Sequence, residues 1–373
     1  MPASAEPLYP AGRLDTARAA VAAAGLDALL ISPGAELRYL VGYDAKPLER
    51  LTCLVVPAAG DPFLVVPALE KAAAQSSPAG GLGIEIAPWQ ETDDPYALVA
   101  DRLPAGLSRA GVDNHMWAEK TAAFQAVLPE ARIEPAGALV GALRIRKSAR
   151  EAAALRDAAA AIDRVHARIG EWLRAGRTER EVAQDVALAI TAEGHDRVDF
   201  VIIGSGPNSA SPHHEPSDRV IGRGDPVVVD IGGTTREGYC SDSTRVYSIG
   251  EPEPEFRRLY EVLLAAQTAQ TEAVRPGITA EELDAVGRDL IAEAGYGEYF
   301  IHRTGHGIGL ESHEQPYIAA GSTLPLESGM AFSIEPGIYL PDRHGARIED
   351  IVLCTPDGGQ RLNLTTRELV VLP

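Results

Sequence analysis

At 373 residues, with 45% hydrophobic content and a mean hydropathy close to zero, the chain has enough material for two ordinary domains with sizeable cores, which excludes a mainly disordered protein. Its 34 basic residues stand against 53 acidic ones, a net charge of −19 that works against nucleic acid as a partner, because that affinity rests on lysine and arginine neutralising phosphates. Cys53, Cys240 and Cys354 are scattered and offer neither a disulfide framework nor a thiolate zinc site; with no signal-peptide pattern and no long apolar run, a cytoplasmic protein that makes no use of a membrane is expected.

Gly12 to Leu30 reads as an alanine-rich amphipathic helix running into a strand. Further strands are predicted at 52–57, 62–67 and 84–89, and helices near 68–75, 95–103 and 117–127, an alternation that predicts a small α/β domain over residues 1–140. Two long helices follow, over 148–176 and 178–194. Their starts are marked by capping boxes, Ser148 with Glu151 and Thr178 with Glu181. Beyond Asp199 the chain is strand-rich and punctuated by glycine, with helices at about 254–274 and 279–294, so residues 141–373 are expected to form an α+β domain.

The chemistry is concentrated in this second part. Asp230 follows the apolar run VVV, where a buried strand should end, and a carboxylate there needs something positive nearby. Asp242 lies across a probable hairpin from it. His306 sits between Gly305 and Gly307, whose missing side chains are expected to open room around the imidazole for a substrate. Glu335, in SIEPGIY, and Glu349, in RIEDIVL, fall on apolar strand-like segments, although Glu349 has an alternative in a salt bridge to Arg347 two residues back. Arg347 also fits a role outside the ligand shell, orienting a metal carboxylate. Four carboxylates, one imidazole and no sulfur read as a site for two divalent metal ions, Mn²⁺ first, with Co²⁺, Fe²⁺ or Zn²⁺ as alternatives.

The motifs VVVDIGG, GYCSDSTR, HRTGHGIGLESHE, FSIEPGIY and RIEDIVL resemble those of the pita-bread metallopeptidases, and among them aminopeptidase P and prolidase. The resemblance covers about 147–373, and residues 1–140 match in layout the creatinase-type domain that precedes it in such enzymes. It implies that Asp230 binds one metal, that Asp242 and Glu349 bridge both, and that His306 and Glu335 complete the second. It further implies that His213 and His313 contact the substrate carbonyl, that His302 lines a proline pocket, that Glu335 moves a proton from the nucleophile to the leaving nitrogen, and that the enzyme is a homodimer. One departure is the interval from Asp230 to Asp242, 242 − 230 = 12, a residue longer than the family's, which a longer hairpin loop would absorb.

The implied activity is hydrolysis of the bond before proline by a hydroxide held between two ions. The element HEQPY has Tyr317 where prolidases can have an arginine, which favours an Xaa-Pro aminopeptidase acting on oligopeptides. The alternatives are an Xaa-Pro dipeptidase, with Arg303, Arg343 or a residue of the N-terminal domain receiving the substrate carboxylate, and a non-catalytic peptide-binding member of the fold.

Overall fold

A computed structural model describes residues 7–373, and its internal contacts divide the chain into two units, Met1–Arg144 and Ile145–Pro373. The first contains α1 (Gly12–Ala23), β1 (Ala28–Ile31), α2 (Ala35–Val41), β2 (Cys53–Pro57), β3 (Phe63–Pro67), α3 (Lys71–Ser76), β4 (Glu85–Trp89), α4 (Pro95–Ala100), β5 (Arg109–Val112), α5 (Ala118–Val127), β6 (Arg132–Pro135) and α6 (Gly137–Arg144). Its six strands form one mixed sheet in the order β4-β3-β2-β1-β5-β6. Strands β1, β2 and β3 are buried along their whole length, as continuous apolar runs covered on both faces should be. The two short strands β5 and β6 lie outside the sequence-predicted set.

The second unit contains α7 (Ala149–Ala167), α8 (Glu179–Ala192), β7 (His195–Ser205), β8 (Pro226–Thr235), β9 (Cys240–Ile249), α9 (Pro254–Ala273), α10 (Ala280–Glu293), β10 (Gly305–Gly307), β11 (Glu314–Ile318), β12 (Ala331–Ile334), β13 (Gly337–Leu340), β14 (His344–Arg347), β15 (Asp350–Thr355), β16 (Gly358–Arg361) and β17 (Val370–Leu372). Its sheets have the orders β17-β9-β8-β7, β11-β10-β12-β15-β16 and β13-β14. Alternation along β8 decides what each face does. Val227, Val229 and Ile231 pack with Ile162, Val165, Val182 and Val186 of α7 and α8. Val228 points the other way, to a core shared with Phe256, Leu259, Ile338 and Ile348, and Asp230 is on that same side. Sheets backed by helix pairs in this way make the pita-bread arrangement, and no helix among the described residues is long and apolar enough to cross a membrane.

Both expected capping boxes are formed, and Thr279 with Glu282 makes a third at the start of α10. Such caps satisfy backbone donors left over at a helix start and contribute about 1 kcal/mol each. The first long helix is shorter than predicted. It stops at Ala167, and Ile169–Glu171 continue as a 3₁₀ turn. Ile169 and Leu173 are both buried in the same core, so the apolar spacing carries on through the break and hides it from a periodicity argument.

Candidate metal centre and active site

The hairpin β8–β9 pairs from Pro226↔Ser248 to Thr234↔Cys240 with no register shift, which sets Asp242 opposite Gly232 and Asp230 opposite Thr244. The two aspartates are therefore diagonal neighbours on one face. The strands are joined by a turn in which Thr235 N–H donates to Tyr239 O at 3.0 Å and Gly238 takes a φ of 90°, so the 12-residue interval leaves the pairing of the aspartates intact. Asp230 does not end its strand as expected; β8 continues for five residues to Thr235.

His306 is the middle residue of β10, which lies between β11 and β12. Its flanking glycines have a different reason from the one expected. A Cβ on Gly305 would come within 1.9 Å of Ser333 O, and one on Gly307 within 2.2 Å of Gln315 O. They let three backbones approach closely and do not open space for a substrate. Glu335 and Glu349 occupy equivalent corners. Glu335 lies between β12 and β13, and Glu349 between β14 and β15, where the chain leaves the five-stranded sheet for the two-stranded one and returns. The expected unbroken strand through RIEDIVL is thus interrupted at Ile348 and Glu349. Glu349 N–H donates to Thr244 O at 3.2 Å, and Thr244 Oγ1 donates to Glu349 Oε2 at 2.7 Å, which ties that corner to β9.

Arg347 pairs with Asp230 and not with Glu349. It also donates to Thr244 Oγ1 (3.2 Å), Tyr339 OH (2.8 Å) and Pro212 O (3.2 Å), so one buried guanidinium joins β8, β9, β13 and the segment before β8. Thr244, Tyr339 and Ser333 were not singled out from the sequence. Ser333 Oγ accepts from His306 N–H at 3.0 Å and donates to Glu335 Oε1 at 3.0 Å, and it is the alternation along AFSIE, with Ser333 two residues before Glu335, that could have flagged it.

The five candidate ligands converge. One ligand atom from each of Asp230, Asp242 and Glu349 lies within 4.8 Å of the others, and the same is true of His306, Glu335 and Glu349. A third such group contains Asp242, His306 and His313. Burial raises the pKa of Asp230, and burial together with the neighbouring carboxylates holds Asp242 and Glu349 well above the usual carboxylate range. Burial acts the same way on Glu335, but its bond to His306 and the charges of His306, His302 and Arg347 pull it down to about 2. Two further observations fit a divalent cation. Asp230 Oδ1 is buried and has no hydrogen-bond partner among the described residues. His306 Nδ1 donates to Gly307 O at 3.1 Å, which leaves Nε2 facing Glu335 Oε1 at 3.2 Å and Asp242 Oδ2 at 3.7 Å. A ring nitrogen placed among carboxylate oxygens meets them through a proton or through a bound cation, and a ligating histidine commonly donates its other ring N–H to a carbonyl.

A cavity of about 870 Å³ opens onto this cluster, lined also by Phe200, His213, His302, Arg303 and His313. His213 and His313 are exposed, while His214 turns away to bond Glu179 Oε2 at 2.7 Å. Although His313 is exposed to the cavity, partial desolvation of its ring, reinforced by His306 and Arg303, lowers it to about 4. His302 is lowered as well, chiefly by burial. Its Nδ1 donates to Arg303 O at 2.7 Å, so Nε2 accepts from Tyr339 OH at 2.9 Å. With both nitrogens engaged, His302 offers the cavity a ring face, which suits an apolar group better than a polar one.

The geometry defines a pita-bread protein with a carboxylate-rich cluster suited to two metal ions at the base of a cavity. A sequence model of metallopeptidase family M24 matches residues 153–356, and one of the creatinase/prolidase N-terminal domain matches residues 13–146. A probable dipeptidase PepE of Mycobacterium tuberculosis is 54% identical over 366 residues, which cover 97% of this chain and 96% of that protein. An Xaa-Pro dipeptidase of Lactobacillus helveticus is 38% identical over 360 residues, with 93% and 95% covered. The crystal structure of dipeptidase PepE from Mycobacterium ulcerans has a TM-score of 0.92 at 53% identity, covering 97% of this chain and 98% of the other. The chain belongs to metallopeptidase family M24, and is a metal-dependent peptidase.

Proposed function

We propose that this chain is an Xaa-Pro dipeptidase, carrying two divalent ions at Asp230, Asp242, His306, Glu335 and Glu349 and working as a homodimer in the cytoplasm. Mn²⁺ is the first candidate, from an oxygen-rich donor set with one nitrogen and no sulfur. The observation that carries the dipeptide specificity is Arg303. It is half-buried in the wall of the cavity, and its guanidinium carbon lies 4.3 Å from the centroid of the Tyr317 ring. No ion pair joins it to a carboxylate among the described residues, whereas Arg343 is engaged by Glu255 away from the cavity. A dipeptide ends in a carboxylate next to its scissile bond, and a half-buried unpaired guanidinium is a suitable receiver for it. Tyr317, which made an aminopeptidase the first reading of the sequence, here acts as the stacking surface for that arginine. The dipeptidase names of the relatives favour the same reading over an aminopeptidase.

Ions held by Asp230, Asp242, His306, Glu335 and Glu349 would lower the pKa of a bound water and polarise the scissile carbonyl. His213 and His313 donate hydrogen bonds to the carbonyl oxygen as negative charge develops on it. Glu335 accepts the proton of the attacking water and passes it to the proline nitrogen, which leaves as a secondary amine. The ring face of His302 packs on the pyrrolidine.

The test is hydrolysis of an Xaa-Pro dipeptide beside an Xaa-Pro-Xaa tripeptide with Mn²⁺ present. The dipeptide should be the better substrate by kcat/KM, and faster cleavage of the tripeptide would return the assignment to an aminopeptidase. Arg303→Ala should raise KM for the dipeptide about 10–100-fold, the worth of one charge-assisted hydrogen bond, and leave kcat nearly unchanged. The dipeptide amide, which has no terminal carboxylate, should be indifferent to that substitution; an equal loss on acid and amide would remove Arg303 from the role.

A further inference from the structure

We infer that Glu179 is a positioning residue, whose buried carboxylate ties the two ends of segment 205–217 together and so presents His213 to the cavity. The inference rests on the reading of His213 as a donor to the substrate oxygen. Between β7 and β8 a 3₁₀ turn over Gly206–Ala210 is followed by irregular backbone that carries Ser211, Pro212 and His213 along the cavity wall, and the chain finds a backbone partner again only from Ser217, whose O accepts from Arg180 N–H at 3.0 Å, to the isolated bridge Thr178↔Val220. Such a segment needs an external restraint to hold one conformation.

Glu179 supplies it from the first residue of α8, where its side chain is fully buried. Its Oε1 accepts from Ser205 N–H (2.8 Å), Ser205 Oγ (2.7 Å) and Asn208 Nδ2 (3.0 Å). Its Oε2 accepts from Ser217 Oγ (2.6 Å), Ser217 N–H (3.1 Å), His214 Nε2 (2.7 Å) and again Asn208 Nδ2 (3.1 Å). Ser205 and Ser217 bracket the segment, and His214 is the immediate neighbour of His213. A carboxylate offers about four acceptor sites, and six donor atoms of a single stretch of chain fill this one's capacity completely. Among the described residues no lysine or arginine makes an ion pair with it; the nearby Arg219 bonds Ser205 Oγ at 2.6 Å and pairs with Asp225. On the cavity side Arg347 holds Pro212 O, so Pro212, His213 and His214 are fixed between two anchors. Glu179 itself does not line the cavity, so any effect on turnover must pass through the segment.

The experiment is a double-mutant cycle with His213→Ala. Glu179→Gln replaces one acceptor oxygen by a donor that faces donors, and should lower kcat on an Xaa-Pro dipeptide about 10–100-fold, a fraction of what one oxyanion donor supplies, with KM changed less than about threefold. In the His213→Ala background the same substitution should cost almost nothing further. Ser217→Ala, which removes one donor and leaves the carboxylate in place, should show a smaller loss in the same direction, and it serves where Glu179→Gln fails to fold. In metal-free protein, hydrogen exchange over 206–217 should quicken in either variant while β8 stays protected. Unchanged kcat in both variants, or a loss that adds in full to that of His213→Ala, overturns the inference and leaves Glu179 a stabilising residue only. Wild-type protein inactive on every Xaa-Pro substrate would refute the functional reading instead; the exchange arm still decides the tether, and unchanged exchange refutes it.

Discussion

Glu335→Gln should lower kcat on an Xaa-Pro dipeptide by about 10³-fold or more while the chain remains folded. The substitution preserves shape and removes the negative charge, and charge is what this position contributes. Glu335 Oε1 lies 3.2 Å from His306 Nε2, and the carboxylate is held at about 2 against the effect of its own burial. An amide there neither accepts a proton nor supplies an anion to a cation shared with Glu349. The fold should tolerate the change because Glu335 sits at a corner between strands, where its backbone N–H is already bonded to Thr304 O at 2.8 Å. The folded surroundings favour the Glu335 charge, so the amide should cost some stability, which thermal unfolding reads, without unfolding the chain. His306→Ala should give a comparable loss, since His306 appears in two of the three groups of converging ligand atoms. Thermal unfolding, elemental analysis and kcat measured on the same preparations separate lost chemistry from lost structure. Turnover within tenfold of wild type in both variants would contradict the assignment.

Much of this site is legible in the sequence because its groups are local signals. Asp230 in an apolar run, Asp242 beyond a glycine-containing turn and the Glu-Pro-Gly corner at 335–337 can each be marked from a few residues. The capping boxes are equally local, and they mark correctly where α7 and α8 begin. What the sequence does not carry is the direction of long side chains and the places where strands change sheets. Arg347 is two residues from Glu349, which makes a pair between them the simplest expectation from one strand; the actual partner, Asp230, is 117 positions away and meets it only after β8 and β14 pack together. Glu179 illustrates the same limit. As the residue after an N-cap it reads as an ordinary acidic first-turn residue, yet all of its side-chain bonding is to a segment 26–38 positions downstream. The glycines around His306 were noticed for a correct reason, their lack of a side chain, but which atoms use that space depends on β11 and β12.

Chelation should abolish activity, Mn²⁺ should restore it, and the gain in Tm on adding Mn²⁺ should grow as pH rises from about 5 to 8. The sign follows from the carboxylates. In metal-free protein Asp230, Asp242 and Glu349 are raised, the latter two well above the usual carboxylate range, so each holds its proton more tightly folded than unfolded. Their contribution to stability is complete below the unfolded carboxylate pKa and is lost as pH rises through the folded values. Divalent cations replace those protons, so their stabilising effect is smallest where protons already occupy the site and largest where the carboxylates would otherwise repel one another. Buried His166, lowered to about 3 chiefly by burial, works in the opposite direction and weakens the fold as pH falls, but it does so with and without metal and cancels in the difference. Binding should accordingly release protons, and calorimetric titrations in buffers of different ionisation enthalpy at one pH measure how many. A Tm gain that shrinks with rising pH, or binding without proton release near neutral pH, would show that these carboxylates do not hold the cation.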